Sequence, residues 1–119
     1  MNARSSDTEA VVRNHLQTFV DKKGVAAILT DYDDNACFHS EARSYHGKHE
    51  IGGFFEDFIA SLPPGAADRF SLRTLRVEGE VAYITWSAGH EIPLGTDTFV
   101  VRNGKIVSQT FAMYATPAG

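Results

Sequence analysis

The chain has 119 residues, 43% of them hydrophobic and 22% charged, and its 11 Lys and Arg against 15 Asp and Glu leave a net charge of −4. That length suits one domain over residues 1–119 with a real core, and the acidic balance lacks the basic footprint of a nucleic-acid or anionic-membrane partner. No apolar run approaches the ~20 residues that span a bilayer, and the opening MNARSSDTEA lacks the apolar core of a secretory leader, so a cytoplasmic protein is expected. The lone Cys37 excludes an intramolecular disulfide and reads as a small buried strand residue.

In chain order, Ser6 and Glu9 have the spacing of a capping box. Val12, Leu16, Phe19 and Val20 follow at helical spacing, and Lys22 and Lys23 precede Gly24 as a stop. These signals predict a helix over residues 7–23. His15 flanks its apolar stripe and reads as a surface residue. Val25, Ile28, Leu29 and Tyr32 predict a short second helix that ends at Asp33-Asp34-Asn35. Ala36 to Ser40 reads as a strand, with Ser44 to His46 as its partner. Ile51, Phe54, Phe55, Phe58, Ile59 and Leu62 fit a third helix, stopped by Pro63-Pro64-Gly65, whose apolar side should cover a sheet. From Asp68 onward the chain is β-rich, with strands over 70–77 and 81–90, turns at Glu78-Gly79 and around Pro93, and a slip of apolar phase between Leu72 and Leu75 that predicts a β-bulge. Leu94 to Tyr114 is a hairpin turning at Asn103-Gly104, a dipeptide that supplies the positive φ angles of a tight turn. Helices on one face of a bent antiparallel sheet make an α+β fold.

The strongest chemical signal lies on that hairpin. Side chains alternate along a strand, so Asp97 shares a face with Phe99 and Val101. A two-residue loop places it opposite Thr110, and a three-residue loop with a glycine bulge places it opposite Gln109. In either register it has an uncharged partner. Desolvation should push it towards its protonated form. A structural carboxylate hydrogen-bonded to Thr110 or Gln109 is the rival reading.

The order of elements and the phrases Val81-Ala-Tyr-Ile-Thr-Trp-Ser87, Gly95-Thr-Asp-Thr-Phe-Val-Val101 and Asn103-Gly-Lys-Ile-Val107 resemble the SnoaL-like, ketosteroid isomerase-like branch of the NTF2-like superfamily. The resemblance implies a cone-shaped, curved antiparallel sheet (a cystatin-like α+β barrel) with three helices enclosing a pocket, a small apolar ligand, and a homodimer formed through the sheet. In ketosteroid isomerase one Asp is the base, while a Tyr and a protonated Asp bind the developing enolate oxygen. Carried over by position, the Tyr falls on Leu16, the base on Ser40 and the protonated Asp on Asp97. This chain keeps one of the three, so steroid isomerisation by that route is not expected.

The implied pocket draws its lining from Leu16, Phe19, Phe38, Ser40, Phe55, Trp86, Phe99, Gln109, Phe111 and Met113. Asp97 is its acid or hydrogen-bond donor, and His90, on the Trp86 face of its strand, is a second acid–base candidate because imidazole titrates near neutrality. His39, His46, His49 and Glu50 carry zinc-ligand chemistry without a ligand motif's spacing, so no metal is expected. Ser40 has no nucleophile elbow around it. Two functions stay open: a cofactor-independent, proton-transferring isomerase, cyclase or dehydratase acting on an apolar carbonyl compound, and a non-catalytic dimeric ligand-binding or protein-interaction module.

Overall fold

The computed structural model describes residues 3–117. The chain runs α1 (Ala3–Val20), α2 (Val25–Leu29), β1 (Tyr32–His39), β2 (Ser44–His46), α3 (Gly47–Ser61), β3 (Phe70–Glu78), β4 (Val81–Ala88), β5 (Ile92–Arg102) and β6 (Lys105–Tyr114). The six strands form one sheet in the order β2-β1-β6-β5-β4-β3. Neighbours are antiparallel except β1 and β6, which run parallel. The expected all-antiparallel sheet is therefore mixed at one joint. A register shift interrupts each of the β1/β6, β3/β4, β4/β5 and β5/β6 ladders. Each adds local bend and twist, and the sheet curves without closing. α1 and α3 cover its concave face, where Val12, Ile51 and Phe55 meet Ile84, Trp86 and Phe99 in one core.

Local chemistry explains most elements. The slip between Leu72 and Leu75 is a bulge, with pairing shifted between Leu72 and Thr74. Asn103 and Gly104 both take positive φ (53° and 76°) and join Arg102 to Lys105 as a two-residue turn. α3 buries Ile51 and Phe55 and half-buries Phe54 and Phe58.

Several boundaries depart from the sequence reading. α1 starts at Ala3, so Ser6 lies inside it and caps nothing. Its N-terminal half is instead docked by polar groups: the Gly79 N–H donates to Ser5 Oγ (2.9 Å) and the Thr8 hydroxyl donates to the Gly79 carbonyl (2.7 Å). The helix ends in paired bonds from the Lys22 N–H to the Phe19 carbonyl and from the Lys23 N–H to the Thr18 carbonyl. This is a Schellman arrangement, with Lys22 rather than Gly24 in the left-handed position (φ 57°). α2 stops at Leu29, and Tyr32 already belongs to β1. The Asp33-Asp34-Asn35 run, read as the end of the second helix, lies in the irregular part of β1 between the Tyr32 and Cys37 pairings. Pro93 is a strand residue, and the β4–β5 turn is Gly89 to Glu91.

Candidate functional site

Asp97 sits on the concave face of β5, 8% exposed. Neither expected register holds. A second irregularity follows the turn: Val101 pairs with Ile106 but Val100 pairs with Ser108, so Val107 is the extra residue. Every later pair moves by one, and Asp97 faces Phe111. The Gln109 side chain still reaches it diagonally. Gln109 Nε2 donates to Asp97 Oδ2 (2.8 Å), and the Trp86 indole N–H, from β4, donates to Oδ1 (2.8 Å). The Tyr32 hydroxyl, at the start of β1, donates to Gln109 Oε1. Four side chains from four strands thus form one buried hydrogen-bonded row.

Burial pushes the Asp97 carboxyl up to about 7, against the opposing pull of the Trp86 and Gln109 donors. Tyr32 is held well above its ordinary value of 10, first by burial and then by the negative charges of Asp97 and Asp31. A neutral Asp97 gives this row one hydrogen more than it has acceptors. If Gln109 turned over to accept that hydrogen, the Tyr32 hydroxyl would lose its own acceptor in a site only 1% exposed, at a cost of about 1–3 kcal/mol. When Asp97 is neutral its hydrogen therefore stays on its own carboxyl, which lines the adjoining cavity.

That cavity lies between the concave sheet, α1 and α3, and its volume is about 50 Å3. Of the residues singled out from the sequence, Leu16, Phe19, Phe38, Phe55, Trp86, Asp97, Phe99, Gln109 and Phe111 line it. Three do not. His90 is exposed in the β4–β5 turn, because β4 ends at Ala88 before the alternating face can reach it. Ser40 lies just past β1, where its Oγ accepts from the Ala42 and Arg43 N–H groups (3.2 and 3.3 Å). Met113, opposite Gly95 in the ladder, packs against the core beyond the cavity lining. His39 and His46, the last residues of β1 and β2, go to separate partners, His39 to Ser44 Oγ (2.7 Å) and His46 to Cys37 Sγ (3.5 Å).

Phe54, Phe58, Phe70 and His15 also line the cavity. His15 is only 5% exposed, which corrects its reading as a surface residue. The signal was available: His15 lies three residues after Val12 and four before Phe19, inside the helical stripe. Hydrophobic periodicity misses it because the buried face of α1 is mostly polar, comprising Ser5, Thr8, His15 and Thr18 beside Val12.

Trp86 is wedged in place. Its ring stacks on Phe70 (centroids 5.5 Å, 30°) and runs nearly parallel to Phe111 (6.5 Å, 10°). It also lies over Gly95, where an added Cβ would come within 2.1 Å of the indole. Gly95 is required here by close approach, and that approach lets the indole N–H meet Asp97.

Comparison with known proteins places this architecture. The model of the SnoaL-like domain family matches residues 12–109. The chain belongs to the SnoaL-like family. Among solved structures, the SnoaL-like chain is similar to an NTF2-like protein of unknown function from Mesorhizobium loti, at 19% identity and a TM-score of 0.78, covering 97% of each chain. An NTF2-like protein of unknown function from Burkholderia xenovorans matches at 18% identity and 0.76, covering 99% of this chain and 91% of the other. A de novo designed protein with a curved β-sheet matches at 15% identity and 0.76, covering 96% and 88%. These likenesses establish the fold alone, since a designed sheet shares it. A search of curated protein sequences gives no significant match. No helix among the described residues is long and apolar enough to cross a membrane.

Proposed function

We propose that this SnoaL-like protein binds a small, largely apolar carbonyl compound in the cavity and acts on it by proton transfer, with Asp97 as the acid. The supporting observation is the buried Asp97 carboxyl in the cavity wall, held by the Trp86 and Gln109 donors and pushed up by burial. Both carboxyl oxygens already face donors, so a neutral Asp97 directs its own O–H at whatever occupies the pocket, and a carbonyl oxygen is the matching acceptor. A fixed donor in an apolar site stabilises the negative charge that develops on a carbonyl oxygen as an adjacent C–H is deprotonated. Such chemistry needs only positioned acids, bases and dipoles, without a cofactor.

Size limits the ligand. At about 50 Å3 the cavity is well below the ~150 Å3 that takes up benzene, so a steroid-like ring does not fit unless the lining aromatics move. The position carried over as the isomerase base, Ser40, is spent on its own turn. That favours the second reading, a binding module that holds such a ligand without turning it over.

A homodimer through the convex sheet face is part of the proposal. Val81 and Tyr83 on β4, Leu94 on β5 and its ladder partner Tyr114 on β6 are all large, apolar and 41–58% exposed, and the outward sides of neighbouring strands bring them onto one surface.

Titration with acetone, the smallest ketone, followed by the NMR signal of the Trp86 indole N–H, tests the ligand class. A ketone accepts from neutral Asp97 only, so its affinity should fall as pH rises through about 7. Binding that ignores pH across that interval, or no binding at all, would remove the carbonyl-acid role.

A further inference from the structure

The cavity holds a second polar group with no assigned role. His15 enters from α1 with its ring edge-on to Tyr32, Phe55 and Phe99 (centroids 5.5, 6.1 and 5.6 Å). Its Nδ1 faces Asp31 Oδ2 at 3.5 Å, and both atoms are fully buried without a hydrogen-bond partner. The other Asp31 oxygen accepts from Asn14 Nδ2 (3.1 Å), which ties the carboxylate back to α1. A histidine and an aspartate set face to face in a core, slightly beyond hydrogen-bonding reach, are costly unless used. Catalytic hydrogen bonds are often long in an empty site and tighten when it is filled.

We propose that His15 is the general base of this pocket and that Asp31 positions it. The inference rests on the carbonyl-acid role of Asp97 argued above. With Nδ1 turned to Asp31, Nε2 is the ring nitrogen left for an occupant, and the carboxylate steadies the imidazolium that forms when Nε2 takes a proton. For an enolisable carbonyl compound, Nε2 removes a proton from the carbon next to the carbonyl. The C–H pair becomes the C=C bond, the carbonyl π pair moves to oxygen, and Asp97 supplies the hydrogen that makes the enol. In a β,γ-unsaturated carbonyl compound the His15 proton returns to the γ carbon, the double bond shifts into conjugation and the enol oxygen gives its hydrogen back to Asp97 as C=O re-forms, which completes an isomerisation and leaves both residues as they began. This supplies the base missing from the Ser40 position, from the opposite wall of the pocket. The titratable groups beside His15 are Asp31, at its Nδ1, and Tyr32, whose ring it meets edge-on; Asp97 on β5 lines the same cavity, and α3 brings the Phe55 ring against it.

The test follows exchange of the methyl hydrogens of acetone, the smallest ketone, for deuterium in heavy water by proton NMR. The base takes a carbon-bound proton, the C–H pair forms the enol C=C bond as Asp97 gives its hydrogen to oxygen, and reversal with a solvent-derived deuteron on the base returns labelled ketone. Wild-type protein should turn this probe over, and His15→Gln should lose at least tenfold, since a general base contributes ~10² to 10⁴. Asp31→Asn should change the pH profile of turnover as well as its rate, which loss of packing alone does not do. His15→Gln that matches wild type while Asp97→Asn is inactive would make Asp97 the base, overturning the His15 assignment but keeping the pocket. No turnover by wild type would also overturn it, and the acetone titration reports separately whether the carbonyl site survives. If His15→Gln fails to fold, nitrogen-15 NMR of the wild-type imidazole decides. Addition of acetone should move the His15 signals, and unmoved signals with acetone bound would overturn the proposal.

Discussion

Replacing Asp97 by Asn removes one ionisation and little volume, so its effect on stability can be worked through with its sign. Asp97 titrates near 7 in the fold against an ordinary 3.8. The folded value is the higher one, so the group adds stability that is fully present below about 3.8 and is lost as pH rises through about 7. The interval is about 3 pH units, and at ~1.36 kcal/mol per unit it corresponds to about 4 kcal/mol. The Asn variant has no such slope. It pays instead a roughly constant 1–3 kcal/mol for one mispaired buried group, because an amide offers one acceptor to the two donors Trp86 and Gln109. Wild type should therefore be the more stable protein at acid pH and lose that advantage at neutral pH, with the two stability curves crossing between them. Urea unfolding of both proteins at a series of pH values reads the difference directly, since all other titrating groups cancel. A difference that stays constant from acid to neutral pH would refute the reasoning and leave Asp97 an ordinary, charged structural carboxylate.

The same geometry carries three further expectations. Gly95→Ala places a methyl group inside the indole of Trp86, so it should destabilise by about 1–3 kcal/mol or more. Because Trp86 is the chain's single tryptophan, a changed emission maximum should accompany the loss; an unchanged spectrum would mean the ring does not lie over Gly95. Gln109→Leu deletes a donor that opposes the burial of Asp97, so the Asp97 midpoint should move above about 7, read by carbon-13 NMR of its carboxyl; a downward move would contradict the hydrogen-bond assignment. If the convex face joins two copies, sedimentation should give twice the chain mass for wild type and a monomer for the Tyr83→Glu, Leu94→Glu double variant; a monomeric wild type would end the dimer proposal.

Signals confined to one segment were legible in the chain. The helical spacing from Ile51 to Leu62, the Asn103-Gly104 turn, the bulge after Leu72 and the placement of Asp97 on the face of Phe99 and Val101 each depend on residues a few positions apart, where side-chain periodicity alone fixes the outcome. The phrases on β4, β5 and β6 also carried the family. Tertiary structure decided the rest, because the deciding partners are distant in sequence. One extra residue, Val107, reset the β5–β6 register, and nothing in its local pattern marks it as the bulge. The helix α1 buries Ser5, Thr8 and His15 because the Gly79 turn and Asp31 await them, and a stripe counted by hydrophobicity passes over such residues. His90 lost its place in the pocket because β4 ended at Ala88, two residues short. The raised carboxyl of Asp97 is a product of both levels: periodicity turned it inward, and the curvature of the sheet brought Trp86 and Gln109 to it, with Tyr32, 77 residues from Gln109 in sequence, at the far end of the hydrogen-bonded row.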